Sequence, residues 1–391
     1  MMNILSTVIS FTVSYFSWNV NSDRRFKGPL GEAFLNHSSV ERFPMMARAI
    51  SNLASDTPAP LIALQEVDDA VLPLLIAYLQ SINLMIETVK YNPSQPMDNV
   101  FNFIFAYDPT VYHITKTEQL YYTLDGTTLS HEERRTLSKE ELFKRHFDYE
   151  LEKSSQLVWL EHIATDAPFL FINNHPGLTE THRLLVAQRL CDHLASIPSV
   201  NKILVGDFNQ FKITPRGAPP QLLQEQIDIF RSNGFTWVSE SLLSDESSIP
   251  FISFPYDIDH LLDEGDRAGI KRLIEDAAKA EKNSDDRSRK AQAIYQWYID
   301  IIERKLIPLQ STYLDAAFMQ GENIVSNWCK TRFFKIDGTD LVRPASNEAF
   351  EEVLRNDFKR SRSPAYISDH PAIQGEVTLT FPVSSTSMSC V

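Results

Sequence analysis

Short apolar runs that end in polar side chains recur along this chain and predict strands of a buried sheet. Four of them occupy residues 16–21, 61–67, 169–175 and 204–209, and a last apolar run covers residues 373–381. Between these runs, apolar residues recur at helical spacing. The helices are predicted over residues 39–53, 70–82 and 180–197. This alternation predicts sheets flanked by helices.

The polar side chains at the predicted strand ends are carboxylates, amides and a histidine. The endings are Trp18-Asn19-Val20-Asn21, Gln65-Glu66, Asn173-Asn174-His175 and Gly206-Asp207-Phe208-Asn209. Gly, Asp and Asn also dominate ordinary turns for conformational reasons, so a single ending of this kind is weak evidence. The joint occurrence of all four carries the argument.

These endings, with Ser368-Asp369-His370 ahead of the last strand, resemble in type and order the motifs of the endonuclease/exonuclease/phosphatase superfamily. The resemblance spans Phe11 to Phe381 but is carried by short motifs. It implies an α+β fold, a four-layer α/β/β/α sandwich of two mixed β-sheets, with the active site at one edge. Asp315 is a weaker match to an aspartate that hydrogen-bonds the late histidine, because Ala316 follows it where the family carries a larger residue.

By this resemblance, the site holds a divalent metal ion. Few oxygen ligands suit Mg²⁺, with Mn²⁺ as the alternative ion, and Glu66 is the principal expected ligand. Asp369 is expected in the metal shell through a water molecule. Asn21 is assigned near the metal, although some relatives have an aspartate there and a neutral amide would weaken a direct bond.

The resemblance also implies catalytic and substrate-binding residues. Asp207 would activate or orient the attacking water, and Asn209, two residues later and expected on the same strand face, would hold a phosphate oxygen. His175 would donate to a phosphoryl oxygen or to the leaving group. His370 would contact the phosphate, with its ring fixed by Asp315.

Two further residues are expected to bind substrate. Asn19 shares one strand face with Asn21, because side chains alternate along a strand. Arg183 lies on the helix after His175 and resembles an arginine common in relatives, although a place on the helix surface is an equal alternative.

The chain is longer than a minimal domain of this fold. We predict one catalytic domain over residues 1–382 and a disordered polar tail over residues 383–391, with helical insertions at about 127–152 and 257–309. Ser130 opens the first insertion like a helix cap. The second is expected to form a helical hairpin on the side of the domain, or a lid or cap that selects substrate or binds a protein partner.

Charge and composition narrow the function further. The formal net charge is −14, and no basic cluster dominates, which argues mildly against a general DNA nuclease. The three cysteines lack metal-type spacing and are odd in number, so a reducing compartment is expected. No stretch approaches the roughly 20 apolar residues needed to span a membrane. We therefore expect a cytoplasmic protein, with secretion by a route independent of a signal peptide left open.

The hypothesis is a Mg²⁺-dependent phosphoester hydrolase, most readily a nuclease-type phosphodiesterase acting on nucleic acid. A phosphatase or phosphodiesterase acting on a small phosphorylated metabolite or a lipid headgroup is the alternative, since both need the same metal and phosphate cradle. A catalytically silent interaction module is the second alternative.

Overall fold

The protein is described from a computed structural model. The described residues are 8–20, 39–90, 101–122, 128–138, 141, 154–177, 180–197, 200–212, 221–243, 251–253, 262–281, 284–304, 310–312, 314–332, 334, 349, 352 and 371–382. Three predicted site residues, Asn21, Asp369 and His370, lie outside these ranges, as does the predicted tail.

Two mixed β-sheets form the centre of the molecule. In chain order the strands are β1 (Val8–Asn19), β2 (Leu61–Asp68), β3 (Met85–Lys90), β4 (Phe101–Tyr107), β5 (Tyr112–Tyr122), β6 (Thr128–Ser130), β7 (Ser154–His162), β8 (Ala167–Asn174), β9 (Asn201–Asp207), β10 (Phe211–Lys212), β11 (Gln221–Leu222), β12 (Thr236–Trp237), β13 (Phe251–Ser253), β14 (Gln310–Thr312), β15 (Asp315–Gln320), β16 (Ile324–Arg332) and β17 (Ala372–Pro382). The first sheet has the order β16-β17-β1-β2-β4-β3, and the second has the order β12-β15-β9-β8-β7-β5-β6. Strands β1 and β2 are parallel, as are β8 and β9, whereas the other pairs within these two sheets are antiparallel.

Helices cover the outer face of each sheet. The described helices are α1 (Ser39–Asp56), α2 (Leu72–Ser81), α3 (His131–Thr136), α4 (Glu180–Ala195), α5 (Gln224–Ser232), α6 (Glu264–Ala278) and α7 (Asp285–Arg304), with a 3₁₀ helix at Val238–Leu243. Apolar side chains of α1 and α2 pack on the first sheet, and those of α4 and α5 pack on the second. A third apolar cluster fills the space between the sheets. This confirms the predicted four-layer sandwich and the three predicted helices.

Alternation along the central strands sets where the polar residues lie. Val13 and Tyr15 of β1 and Ile203 and Val205 of β9 belong to the cluster between the sheets. Because side chains repeat every second residue, Asn19 and Asp207 continue these rows. The core between the sheets therefore becomes polar at one edge, where the ends of β1, β2, β8 and β9 meet.

The second predicted insertion contains two helices that contact each other, α6 and α7. Short strands β13 and β14 pair antiparallel at its base. Asp263 caps α6, since its side chain accepts from the backbone N–H of Asp266. In the first predicted insertion, Ser130 and Glu133 form the reciprocal capping box expected for α3. The division of the chain into one domain with two insertions stays a prediction.

Candidate active site

Glu66 enters the site through an irregularity in β2. The pairing of β2 with β4 shifts between Leu64 and Val67, and Glu66 has a φ of +56°. Leu64 and Val67 both face the helix side, which strict alternation would not allow, so one residue is inserted as a bulge. A left-handed backbone at a residue other than glycine costs about 1–3 kcal/mol, and such residues cluster at active sites.

Asp207 ends β9 and is held from several directions. Its Oδ1 accepts from the backbone N–H of Asn209 at 2.8 Å, and its Oδ2 accepts from the side-chain amide of Asn19 at 2.9 Å. The Nε2 atom of His175 lies 3.2 Å from the same Oδ2. This carboxylate therefore has a fixed orientation before any ligand binds.

His175 brings the two sheets together at the site. It follows β8, and its Nε2 lies 3.4 Å from Oε1 of Glu66 on the first sheet as well as close to Asp207 on the second. All three side chains are buried. One potential ligand atom from each lies within 4.8 Å of the others, a spacing at which one ion could contact all three.

A third carboxylate lies at the same edge. Asp315 begins β15 and is the antiparallel partner of Asp207, and it is also buried. Carboxylates buried this close together need positive charge to offset their repulsion and lost hydration. Oxygen ligands of this kind suit Mg²⁺ or Mn²⁺, so the carboxylates of Glu66 and Asp207 fit a divalent ion, with His175 beside them.

Comparison with known proteins shows which fold this site lies on. No family model and no curated protein sequence matches the chain. Among solved structures, an endonuclease/exonuclease/phosphatase family protein from Bacteroides thetaiotaomicron superposes with a TM-score of 0.51 at 13% identity, covering 95% of this chain and 99% of that one. A mannosyl-6-phosphatase from the same organism superposes with a TM-score of 0.52 at 14% identity, covering 93% and 99%. The chain has the endonuclease/exonuclease/phosphatase fold.

On this fold, five sequence-predicted residues meet at one edge. They are Asn19, Glu66, His175, Asp207 and Asp315. The two histidine contacts and the Asn19–Asp207 hydrogen bond link strands that are up to 188 positions apart in sequence. The roles assigned to these residues stay predictions.

Asn209 differs from its expected geometry. We expected Asp207 and Asn209 to share one strand face, but β9 ends at Asp207 and Asn209 has a φ of +49°. The side-chain amide of Asn209 donates to the carbonyl of Pro176 at 3.3 Å. Because the chain turns here, strand alternation no longer applies, and the amide ties the turn to the segment after His175.

Arg183 is completely buried, unlike the surface alternative considered for it. Its Nη1 donates to the backbone carbonyl of Asn209 at 2.8 Å. This hydrogen bond ties helix α4 to the turn after β9. Substrate binding by Arg183 stays a prediction.

Sequence reasoning missed a buried polar group beneath the site. Gln65 and Asn173 belong to the motifs but received no role, although both side chains face the core between the sheets and are joined by a hydrogen bond of 2.7 Å. The available signal was a pair of amides on strand faces that are otherwise apolar.

Neutral hydroxyl groups extend the buried polar region behind Asn174. Ser155 donates to Oδ1 of Asn174 at 2.6 Å, and its Oγ lies 2.7 Å from the hydroxyl of Tyr122. Burial raises the pKa of Tyr122 well above its usual value, so this phenol stays neutral. Tyr122 therefore adds no negative charge beside the carboxylates.

Among the residues that the structure describes, no helix is both long and apolar enough to cross a membrane.

Proposed function

We propose that this protein is a divalent-metal-dependent hydrolase of phosphoesters, and that its first activity is that of a nuclease-type phosphodiesterase. The observation that carries the proposal is the convergence of Glu66, His175 and Asp207 at a buried edge where both sheets end. Fold alone does not determine activity, so this group of side chains carries the functional assignment.

Two residues would hold the ion through oxygen, Glu66 and Asp207. When bound, the ion would neutralise charge that develops on the phosphoryl oxygens and the leaving group. The same donor set supports Mg²⁺ and Mn²⁺.

The protein's own side chains support the rest of the reaction. Water would attack phosphorus while the bond to the leaving oxygen breaks, and Asp207 would accept the proton that the water loses. Asn19 and the backbone of Asn209 hold this carboxylate in one orientation. His175 would donate to a phosphoryl oxygen or to the leaving oxygen, as its position beside Asp207 allows.

A phosphatase or phosphodiesterase of small phosphorylated molecules is the second candidate. Two observations favour it: the net charge of −14, which disfavours long anionic polymers, and the shared fold of a mannosyl-6-phosphatase. From the sequence we also propose a cytoplasmic location and a protein partner bound through residues 257–309.

The test is turnover of bis-p-nitrophenyl phosphate with Mg²⁺ or Mn²⁺, before and after removal of metal by EDTA. We expect activity that requires the ion and that falls at least about 100-fold in Glu66→Ala and Asp207→Ala. Circular dichroism and thermal unfolding establish that both variants stay folded.

A substrate panel separates the two candidates. It contains single- and double-stranded DNA, RNA, phosphoinositides, nucleotides and sugar phosphates. Preference for nucleic acid supports the phosphodiesterase, and preference for a small phosphate ester supports the second candidate. Folded protein without metal-dependent activity on any member would contradict both and favour a silent interaction module.

A further inference from the structure

A group of buried polar side chains crosses the space between the sheets next to the site. Nε2 of Gln65 donates to Oδ1 of Asn173 at 2.7 Å and to Oγ of Ser17 at 3.1 Å. Gln156 on β7 completes the group, because its Oε1 accepts from Asn173 at 3.5 Å. All four side chains are at most 1% exposed.

Asn173 contacts the backbone where the ladder between β2 and β4 breaks. Its Nδ2 donates to the carbonyls of Leu64 at 3.3 Å and Ile104 at 3.5 Å. Leu64 and Ile104 are the last regular pair before the shift in register. One amide from the second sheet thus contacts backbone carbonyls on both strands of the broken ladder.

The bulge held in this way contains Glu66. Its left-handed backbone persists only if the surroundings enforce it, and the amide of Asn173 is a direct contact to the residue at which the irregularity begins. Asn173 is also two residues before His175. A single side chain therefore ties the Glu66 bulge to the strand that carries the histidine.

We infer that Asn173, itself oriented by Gln65, is a positioning residue that sets Glu66 against His175 and Asp207. This inference rests on the proposed function, because it assigns Asn173 a part in building the proposed metal site. Groups that orient metal ligands typically change metal affinity or activity by about 10–100-fold when they are removed.

A purely structural role makes a different prediction. If the amides only satisfied one another, any member of the group would be equivalent, and the loss of Gln156 would resemble the loss of Asn173. Gln156 is equally buried and donates to the carbonyl of Glu87 at 3.3 Å, away from the bulge. It therefore provides the matched control.

The experiment compares Asn173→Leu with Gln156→Leu in the full chain. Mn²⁺ affinity is measured by electron paramagnetic resonance, which needs no turnover, and kcat and KM are measured with bis-p-nitrophenyl phosphate. We expect Asn173→Leu to weaken Mn²⁺ binding at least about 10-fold and to lower kcat by about 10–100-fold. Gln156→Leu should lose similar thermal stability but keep both values.

A double-mutant cycle tests whether Asn173 acts through Glu66. In the Glu66→Gln background, Asn173→Leu should cause little further loss of Mn²⁺ affinity, because the ligand it positions is already impaired. Equal losses in both backgrounds would overturn the inference. So would equal effects of Asn173→Leu and Gln156→Leu.

Failure of the proposed function remains distinguishable. If the wild-type protein binds Mn²⁺ but hydrolyses no phosphoester, the affinity comparison still decides. If the wild-type protein neither binds Mn²⁺ nor hydrolyses a phosphoester, a crystal structure of Asn173→Leu provides the test. The φ of Glu66 should leave the left-handed region in this variant, and an unchanged backbone would refute the inference. Should Asn173→Leu fail to fold, Gln65→Met removes the donor to Asn173 and takes its place in every comparison.

Discussion

The strand-end site and the α6–α7 hairpin use the same charged residues in opposite ways. At the site, Glu66, Asp207 and His175 are buried within a few ångströms of one another. In the hairpin, acidic and basic side chains pair along exposed helix faces, as Lys271 and Glu275 do at 3.9 Å with 77% and 55% of their side chains exposed.

The geometry of the charged groups is fixed at the site but not in the hairpin. Exposed ion pairs contribute about 0–1 kcal/mol because water screens them and long side chains lose entropy. Buried carboxylates are costly unless something compensates them, so their retention at one edge indicates a ligand or a reaction. A search for charged residues alone would therefore favour the hairpin over the site as the functional region.

The largest effect is expected from a pair of glycine substitutions. Gly206 has a φ of +147°, and a Cβ there would lie 1.9 Å from the carbonyl oxygen of Asn174. Gly206→Ala should therefore cost about 4 kcal/mol or more of unfolding free energy. In α6, a Cβ at Gly269 would lie 3.4 Å from Nε1 of Trp297, so Gly269→Ala should stabilise by up to about 1 kcal/mol.

Urea unfolding followed by circular dichroism measures both values. Equal stability of the two variants would contradict this contrast, because it would show that the backbone at the site is no more constrained than that of the hairpin.

A second pair of variants neutralises one glutamate in each region. Glu66→Gln keeps the size of the side chain but removes its charge, and it should lower kcat by about 10²–10³-fold through lost stabilisation of the bound ion and the reacting phosphate. Glu275→Gln removes an exposed charge and should leave kcat unchanged. Steady-state kinetics with bis-p-nitrophenyl phosphate provides the measurement, and a similar loss in both variants would contradict a local role for Glu66.

The smallest effect concerns one arginine in each region. Arg183 is fully buried and donates to the carbonyl of Asn209, so Arg183→Met should cost about 2 kcal/mol of unfolding free energy. Arg289 is 76% exposed and lies 3.6 Å from Asp286, so Arg289→Met should change the unfolding free energy by less than about 0.5 kcal/mol. Denaturant titration of both proteins checks the difference; a cost at Arg289 as large as at Arg183 would refute the distinction.

Much of the fold was predictable because its signals are local. Apolar spacing predicted α1, α2 and α4, and these helices are present. The polar ends of β1, β2, β8 and β9 predicted the residues that meet at the edge, because strand ends in one sandwich converge. The capping box of α3 was also readable from Ser130 and Glu133.

The details of the site were less predictable because they depend on broken regularity. Alternation predicted one face for Asp207 and Asn209, but the chain turns between them. The bulge at Glu66 is likewise absent from the apolar pattern, since it is set by backbone pairing with β4. The link between Gln65 and Asn173 joins positions 108 apart, so no local signal contains it.

Local sequence patterns specify the main strands and helices of this protein and the polar residues at its strand ends. Side-chain periodicity is a local property, and it is written directly in the order of apolar and polar residues. The folded molecule is needed to see that Glu66 meets His175 and Asp207, and that Asn173 contacts the backbone at the start of the bulge that carries Glu66. Those distances arise from the packing of two sheets against each other, which fixes strands far apart in the chain to within ångströms.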